Sequence, residues 1–97
     1  MVREVRIETY LFNEVKAAGG QCVKLHPMGV VGIPDRLVLL PGGVVVFCEV
    51  KKPKGGVVSR MQKVWADRLA GLGMNHRFVF TRDDVDGLMK EFANGTA

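Results

Sequence analysis

Two β-prone segments, Asp35–Leu40 and Val44–Lys51, flank the tripeptide Pro41-Gly42-Gly43. Apolar runs this close, parted by proline and glycine, predict a β-hairpin, and nothing else in the chain restricts its fold as strongly. The second segment is apolar at successive positions, Val44-Val45-Val46-Phe47-Cys48, and then meets Glu49. A strand that is apolar on both faces belongs at the centre of a sheet covered on both sides. The run is far too short to cross a bilayer, which takes about 20 apolar residues.

The rest of the chain supplies partners for that hairpin. From about Arg3 to Ala18, Ile7, Leu11 and Val15 recur at helical spacing with Phe12 beside them, and Gly19-Gly20 ends the pattern. Gln21–Leu25 reads as a short strand, broken by His26-Pro27-Met28-Gly29, and Gly29 to Gly32 reads as a loop. After the basic loop Lys52-Pro53-Lys54-Gly55-Gly56, Ser59 is placed to cap a helix running to Leu69 or Ala70, with an apolar stripe of Met61, Val64, Trp65, Leu69 and Leu72. His76–Thr81 is a further strand. Thr81 or Asp83 caps a last helix carrying Val85, Leu88, Met89 and Phe92, and the tail Asn94–Ala97 is expected to fray. The order α-β-β-β-α-β-α predicts one α/β domain, a mixed four-stranded sheet flanked by helices.

At 97 residues the chain has room for one such domain. Arg3, Glu4, Arg6 and Glu8 interrupt any secretory leader, so an intracellular protein is expected. Cys22 and Cys48 lie in apolar segments without C-x-x-C spacing, which predicts two buried thiols rather than a zinc or redox site. A net charge of +4 on so small a body favours polyanionic partners.

The hairpin also carries the charges that a buried sheet does not need. Glu49 and Lys51 share a strand face, about 6–7 Å apart, beyond the apolar Val45 and Phe47. If the loop is Pro41-Gly42-Gly43, Leu40 faces Val44 and Asp35 lies across from Glu49, with Cβ atoms about 5 Å apart. If the loop is only Gly42-Gly43, Asp35 faces Val50 and points to the wrong side. In the first register two carboxylates converge and could hold one hard divalent cation, with the carbonyl of Val50 as a third oxygen. Such an ion would polarise a phosphodiester, and Lys51 would orient water and steady the charge that develops on phosphate.

Gly32-Ile33-Pro34-Asp35 followed by Glu49-Val50-Lys51 resembles the signature of the PD-(D/E)XK nuclease superfamily. Ser59-Arg60-Met61-Gln62, opening the second helix, and Glu8 on the first resemble the further motifs of its VRR-NUC branch. The resemblance covers roughly Glu8 to Leu69. Its short length looks like that of the standalone, phage-type members, with residues 1–97 forming one nuclease domain on a restriction-endonuclease-like core. It implies a Mg²⁺-dependent DNA endonuclease, with Mn²⁺ able to substitute. It also implies selectivity for branched DNA, either a four-way junction or a flap, and a homodimer, in the host cytoplasm if phage-encoded. By residue it implies Asp35 and Glu49 as metal ligands with the Val50 carbonyl, Lys51 as the catalytic lysine, Glu8 acting through a water or a second metal, and Gln62 hydrogen-bonding near the site.

Lys52, Lys54, Arg60 and Lys63 are the candidate contacts to the DNA backbone, against the plainer reading of a solvated basic face. Plain readings exist for the others too. Asp35 can be a turn residue after proline, Glu49 and Lys51 a charged strand end, and Glu8 and Gln62 solvated helix positions. Trp65 reads as a core or dimer contact, and His26 and His76 have no partners at ligand spacing. The rival function is a nucleic-acid-binding module that keeps the fold without cutting. A small structural protein is the third and weakest reading.

Overall fold

The computed structural model describes residues 6–93. The predicted start of the first helix, Arg3 to Val5, and the tail Asn94–Ala97 lie outside the described residues. The elements run α1 (Ile7–Ala17), β1 (Gln21–Lys24), β2 (Arg36–Leu40), β3 (Val44–Val50), α2 (Arg60–Gly71), β4 (Asn75–Val79) and α3 (Arg82–Phe92). This is the predicted order, with strand ends shifted by one or two residues.

The four strands lie side by side in chain order. β1 pairs antiparallel with β2 and β2 with β3, while β4 joins β3 in parallel through the α2 crossover. The hairpin closes through the three-residue loop: Leu40 faces Val44, and the ladder runs on to Arg36 opposite Cys48. Gly42 and Gly43 both adopt positive φ, +87° and +77°, which a side chain would resist.

Alternation along the strands sorts the two faces. Val38, Leu40, Val46, Cys48 and Val79 point to one side and are buried against Ile7, Leu11 and Val15 of α1 and Val85 and Leu88 of α3. The apolar α1 positions recur every fourth residue and form one stripe. Tyr10 joins the two helices by donating its hydroxyl to Oδ1 of Asp86 at 2.6 Å. Thr81, not Asp83, caps α3: its Oγ1 accepts from the Asp84 N–H, and Oδ2 of Asp84 accepts from the Thr81 N–H.

The opposite face is less covered than the continuous apolar run of β3 suggests. α2 packs toward β4, and only Leu69 of its stripe is buried. Met61, Val64 and Trp65 are half-buried, and Leu72, beyond the helix end, is 72% exposed. Leu37, Leu39 and Phe47 are therefore half-buried, and Val45 is exposed. One helix cannot roof four strands, so the side facing α2 stays partly open.

Gly32 fixes how the long β1–β2 connection meets α2. It sits at φ +91°, and a Cβ there would lie 2.6 Å from the backbone of Met61. The connection thus passes directly against the first turn of α2 on its way to Asp35. Cys48 is buried and its thiol is pushed up to about 12 by that burial, whereas Cys22 is only half-buried; both are free thiols.

Candidate metal centre

The register of the hairpin decides whether the acids can meet. One position beyond the Arg36–Cys48 pair, Asp35 comes alongside Glu49, as the three-residue loop requires. The Asp35 charge bears on Glu49. Burial first, and then the nearby Asp35 charge, push the Glu49 carboxyl up to about 7 against the opposing pull of Lys51 and Arg36. Glu49 is 5% exposed, at the end of a strand whose earlier residues are apolar.

Asp35 is fixed from both sides. Its backbone carbonyl accepts the Leu25 N–H at 2.9 Å, and its Oδ1 accepts the Val50 N–H at 3.2 Å. Continued one step, the same register sets Pro34 opposite Val50. Proline has no N–H, so β2 offers no donor to the Val50 carbonyl. The proline of the Pro-Asp pair therefore keeps a backbone oxygen available beside the two carboxylates. Among the described residues, no three His, Cys, Asp or Glu side chains group closely enough to hold a metal by themselves. A cation here would rest on Asp35, Glu49 and that carbonyl, an all-oxygen set suited to Mg²⁺ or Mn²⁺ with the remaining positions left to water and phosphate.

Lys51 follows on the same strand line. Its N–H is held by the Val79 carbonyl at 2.8 Å, which ties the end of β3 to the end of β4, and its side chain is half-buried. A cleft of about 560 Å³ opens here, lined by Arg6, Ile7, Glu8, Val50, Lys51, Lys52 and Pro53. Val50 and Lys51, the next residues along the strand from Glu49, line this cleft, whereas Asp35 and Glu49 are not among its lining residues.

Glu8 reaches this cleft from the first turn of α1, but its carboxylate is drawn to a residue that the pattern of motifs does not single out. Arg36 Nη2 lies 2.7 Å from Glu8 Oε2, and Arg36 Nη1 lies 3.1 Å from Asp35 Oδ2. Arg36 is 7% exposed. One signal for it was present in the sequence: Arg36 alternates with Val38 and Leu40, so it falls on the core face, where an unpaired charge would be costly.

Gln62 lies in the first turn of α2. Its Oε1 accepts the Ser59 N–H at 2.9 Å, while Ser59 Oγ accepts the Gln62 N–H at 3.2 Å. This capping box starts α2, and it occupies the amide oxygen while leaving the amide nitrogen free of that pair. Lys52, Lys54, Arg60 and Lys63 are all exposed; Lys52 rims the cleft, and Arg60 and Lys63 flank the start of α2.

The same arrangement of elements is found in a solved structure. A chain described as a VRR-NUC domain superposes with a TM-score of 0.80 and 35% sequence identity, covering 86% of this chain and 89% of that one. The chain belongs to the VRR-NUC family. The predicted core and resemblance therefore stand. A second relative, "Putative nuclease p44" of Acyrthosiphon pisum secondary endosymbiont phage 1, is 45% identical over 53 residues. That match takes in 55% of this chain and 57% of the phage protein, so the VRR-NUC chain spans little more than half of that relative. No protein-family model matches the chain. Among the described residues, no helix is long and apolar enough to cross a membrane.

Proposed function

We propose that this VRR-NUC domain is a divalent-metal-dependent endonuclease that hydrolyses DNA phosphodiesters. The observation that carries the reading is the convergence of Asp35 and Glu49, with the Val50 carbonyl beside them and Lys51 next along the strand. Asp35, Glu49 and Val50 would hold Mg²⁺, or Mn²⁺ in its place. When bound, the ion supplies polarisation of the phosphoryl oxygen and acidification of a water.

The protein's own groups do the rest. The ionised form of Glu49 would be favoured beside a bound cation, its proton passing to solvent. Lys51 donates hydrogen bonds to the phosphate and to the attacking water, which lowers the energy of charge building up on the non-bridging oxygens. Water adds its oxygen to phosphorus and gives up a proton to solvent, one ester P–O bond breaks, and the departing oxygen takes up a proton from solvent. Gln62 can offer its amide nitrogen to the substrate from the start of α2. Lys52, Lys54, Arg60 and Lys63 grip successive backbone phosphates without reading sequence.

The preferred substrate in this proposal is branched DNA, a four-way junction or a flap, cut by a homodimer. One site cuts one strand, so paired cuts need two. The binding-only alternative draws on one observation, the neutralisation of Asp35 and Glu8 by Arg36.

The decisive assay incubates labelled linear, flapped and four-way DNA with the protein in Mg²⁺, in Mn²⁺ and in chelator. Cleavage that needs the metal and disappears in Lys51→Ala, with DNA binding retained, is the expected result. Binding without cleavage under every condition would select the alternative. Light scattering across concentration tests the dimer: paired cuts on a junction by a species that stays monomeric would refute it.

A further inference from the structure

The guanidinium of Arg36 stands between two carboxylates that come from different elements. One is Glu8 of α1, at 2.7 Å, and the other is Asp35 at the mouth of β2, at 3.1 Å. Arg36 Nη1 also donates to the Asp35 backbone carbonyl at 3.2 Å. The Arg36 side chain is only 9% exposed, whereas those of Glu8 and Asp35 are each 39% exposed. Water and ions can therefore reach both acids, yet the space between them is taken by a positive group fixed from inside the fold.

We propose that Arg36 is a built-in counter-charge that stands where a second cation would otherwise bridge Glu8 and Asp35, so that the centre takes one divalent ion and Glu8 acts on Arg36. The inference rests on the nuclease reading above and deepens it by assigning Arg36 and restricting Glu8.

Charge and geometry both favour this. Arg36 pairs with Glu8 and with Asp35, and Arg6 Nη1 lies a further 3.6 Å from Glu8 Oε1, so a second cation in that gap would meet carboxylates already opposed by guanidinium groups. Geometry adds a second constraint. Oδ1 of Asp35 accepts the Val50 N–H and Oδ2 meets Arg36, so the plane of the carboxylate is set before any ion arrives. A planar, permanently charged fork can do this, and it does not leave as pH changes. Arg36 is thus a positioning residue, since it acts through Asp35 and Glu8 and touches no reacting atom.

The test counts Mn²⁺ bound per chain by calorimetry on the full chain, without DNA, with circular dichroism as a check on folding. Wild type, Glu8→Gln and Arg36→Lys are each expected to bind one Mn²⁺. Arg36→Gln, which empties the gap of charge, is expected to bind two, and the double variant Arg36→Gln/Glu8→Gln to return to one. A merely structural arginine would not change the count in this way. Two ions in wild type, falling to one in Glu8→Gln, would overturn the proposal, as would a folded Arg36→Gln that still binds one. If Arg36→Gln does not fold, the wild-type and Glu8→Gln counts decide alone. Wild type binding no Mn²⁺ would remove the metal centre itself, a failure distinct from the binding of two.

Discussion

Oδ1 of Asp35 accepts the backbone N–H of Val50, 3.2 Å away, across the open end of the hairpin. This bond stands where a main-chain bond to the next β2 residue would otherwise continue the ladder, and that residue is Pro34. The side chain that would hold the ion therefore also closes the sheet. Asp35→Asn keeps an acceptor for Val50 but loses the charge. It is expected to lose Mn²⁺ binding while unfolding within about 1 kcal/mol of wild type. Asp35→Ala should lose both, and urea denaturation beside Mn²⁺ calorimetry separates the two effects.

Glu49 gives the apo protein a pH dependence of known sign. Its folded pKa, about 7, lies above its ordinary value of 4.5, because burial and the Asp35 charge favour the protonated form. Folding then binds a proton, and the group's contribution is fully present below the ordinary value and is lost as pH rises through about 7. Glu49→Gln cannot ionise. The stability of Glu49→Gln relative to wild type should therefore increase as pH rises through that window, as followed by thermal melts in chelator. A difference that stays flat with pH would show that Glu49 is not held in this way.

Gly32 tests the placement of the loop that delivers Asp35. Alanine there must adopt φ +91° and bring its Cβ within 2.6 Å of the Met61 backbone. A loss of about 1–3 kcal/mol in unfolding free energy is expected. Gly29 also has positive φ but meets nothing within 4 Å, so Gly29→Ala should cost less. Equal losses would contradict the close approach of the loop to α2.

The basic residues make a prediction in salt. If Lys52, Lys54, Arg60 and Lys63 each meet a phosphate, neutralising any one should weaken binding on every DNA sequence. The slope of log K against log salt should fall by about 0.9 for each. Fluorescence anisotropy on a cleavage-dead Lys51→Ala background measures this. An unchanged slope would return that residue to the solvated surface.

The hairpin was readable from Pro41-Gly42-Gly43 between two β-prone runs, but its register was not: the sequence allows a loop of two or three residues, and the pairing of Leu40 with Val44 decides for three. Helix ends were readable where a cap was present, as at Ser59, and ambiguous where two candidates stood close together, as with Thr81 and Asp83. The stripe of α2 misled at Leu72 because periodicity does not mark where a helix leaves the sheet. Cover over β3 was overestimated for a similar reason: an apolar run signals central position, but only the packing of α2 toward β4 decides how far the second face is roofed. Gln62 shows a further limit. The same Ser59-to-Gln62 spacing serves as a capping box and as a family motif, and the sequence does not separate the two uses. Arg36 belongs to no motif, and only its place on the core face, in alternation with Val38 and Leu40, marks it.

The hydrogen-bond cradle around Asp35 and Val50 lies on the two inner ribbons of the sheet, whereas α2 packs chiefly toward the outer strand β4. Segments of this kind open at different free energies, and the innermost open last. Arg60 and Lys63 thus ride on an outer helix while the oxygen ligands sit on inner strands, so the part that would hold the substrate backbone and the part that would hold the ion are anchored in different layers.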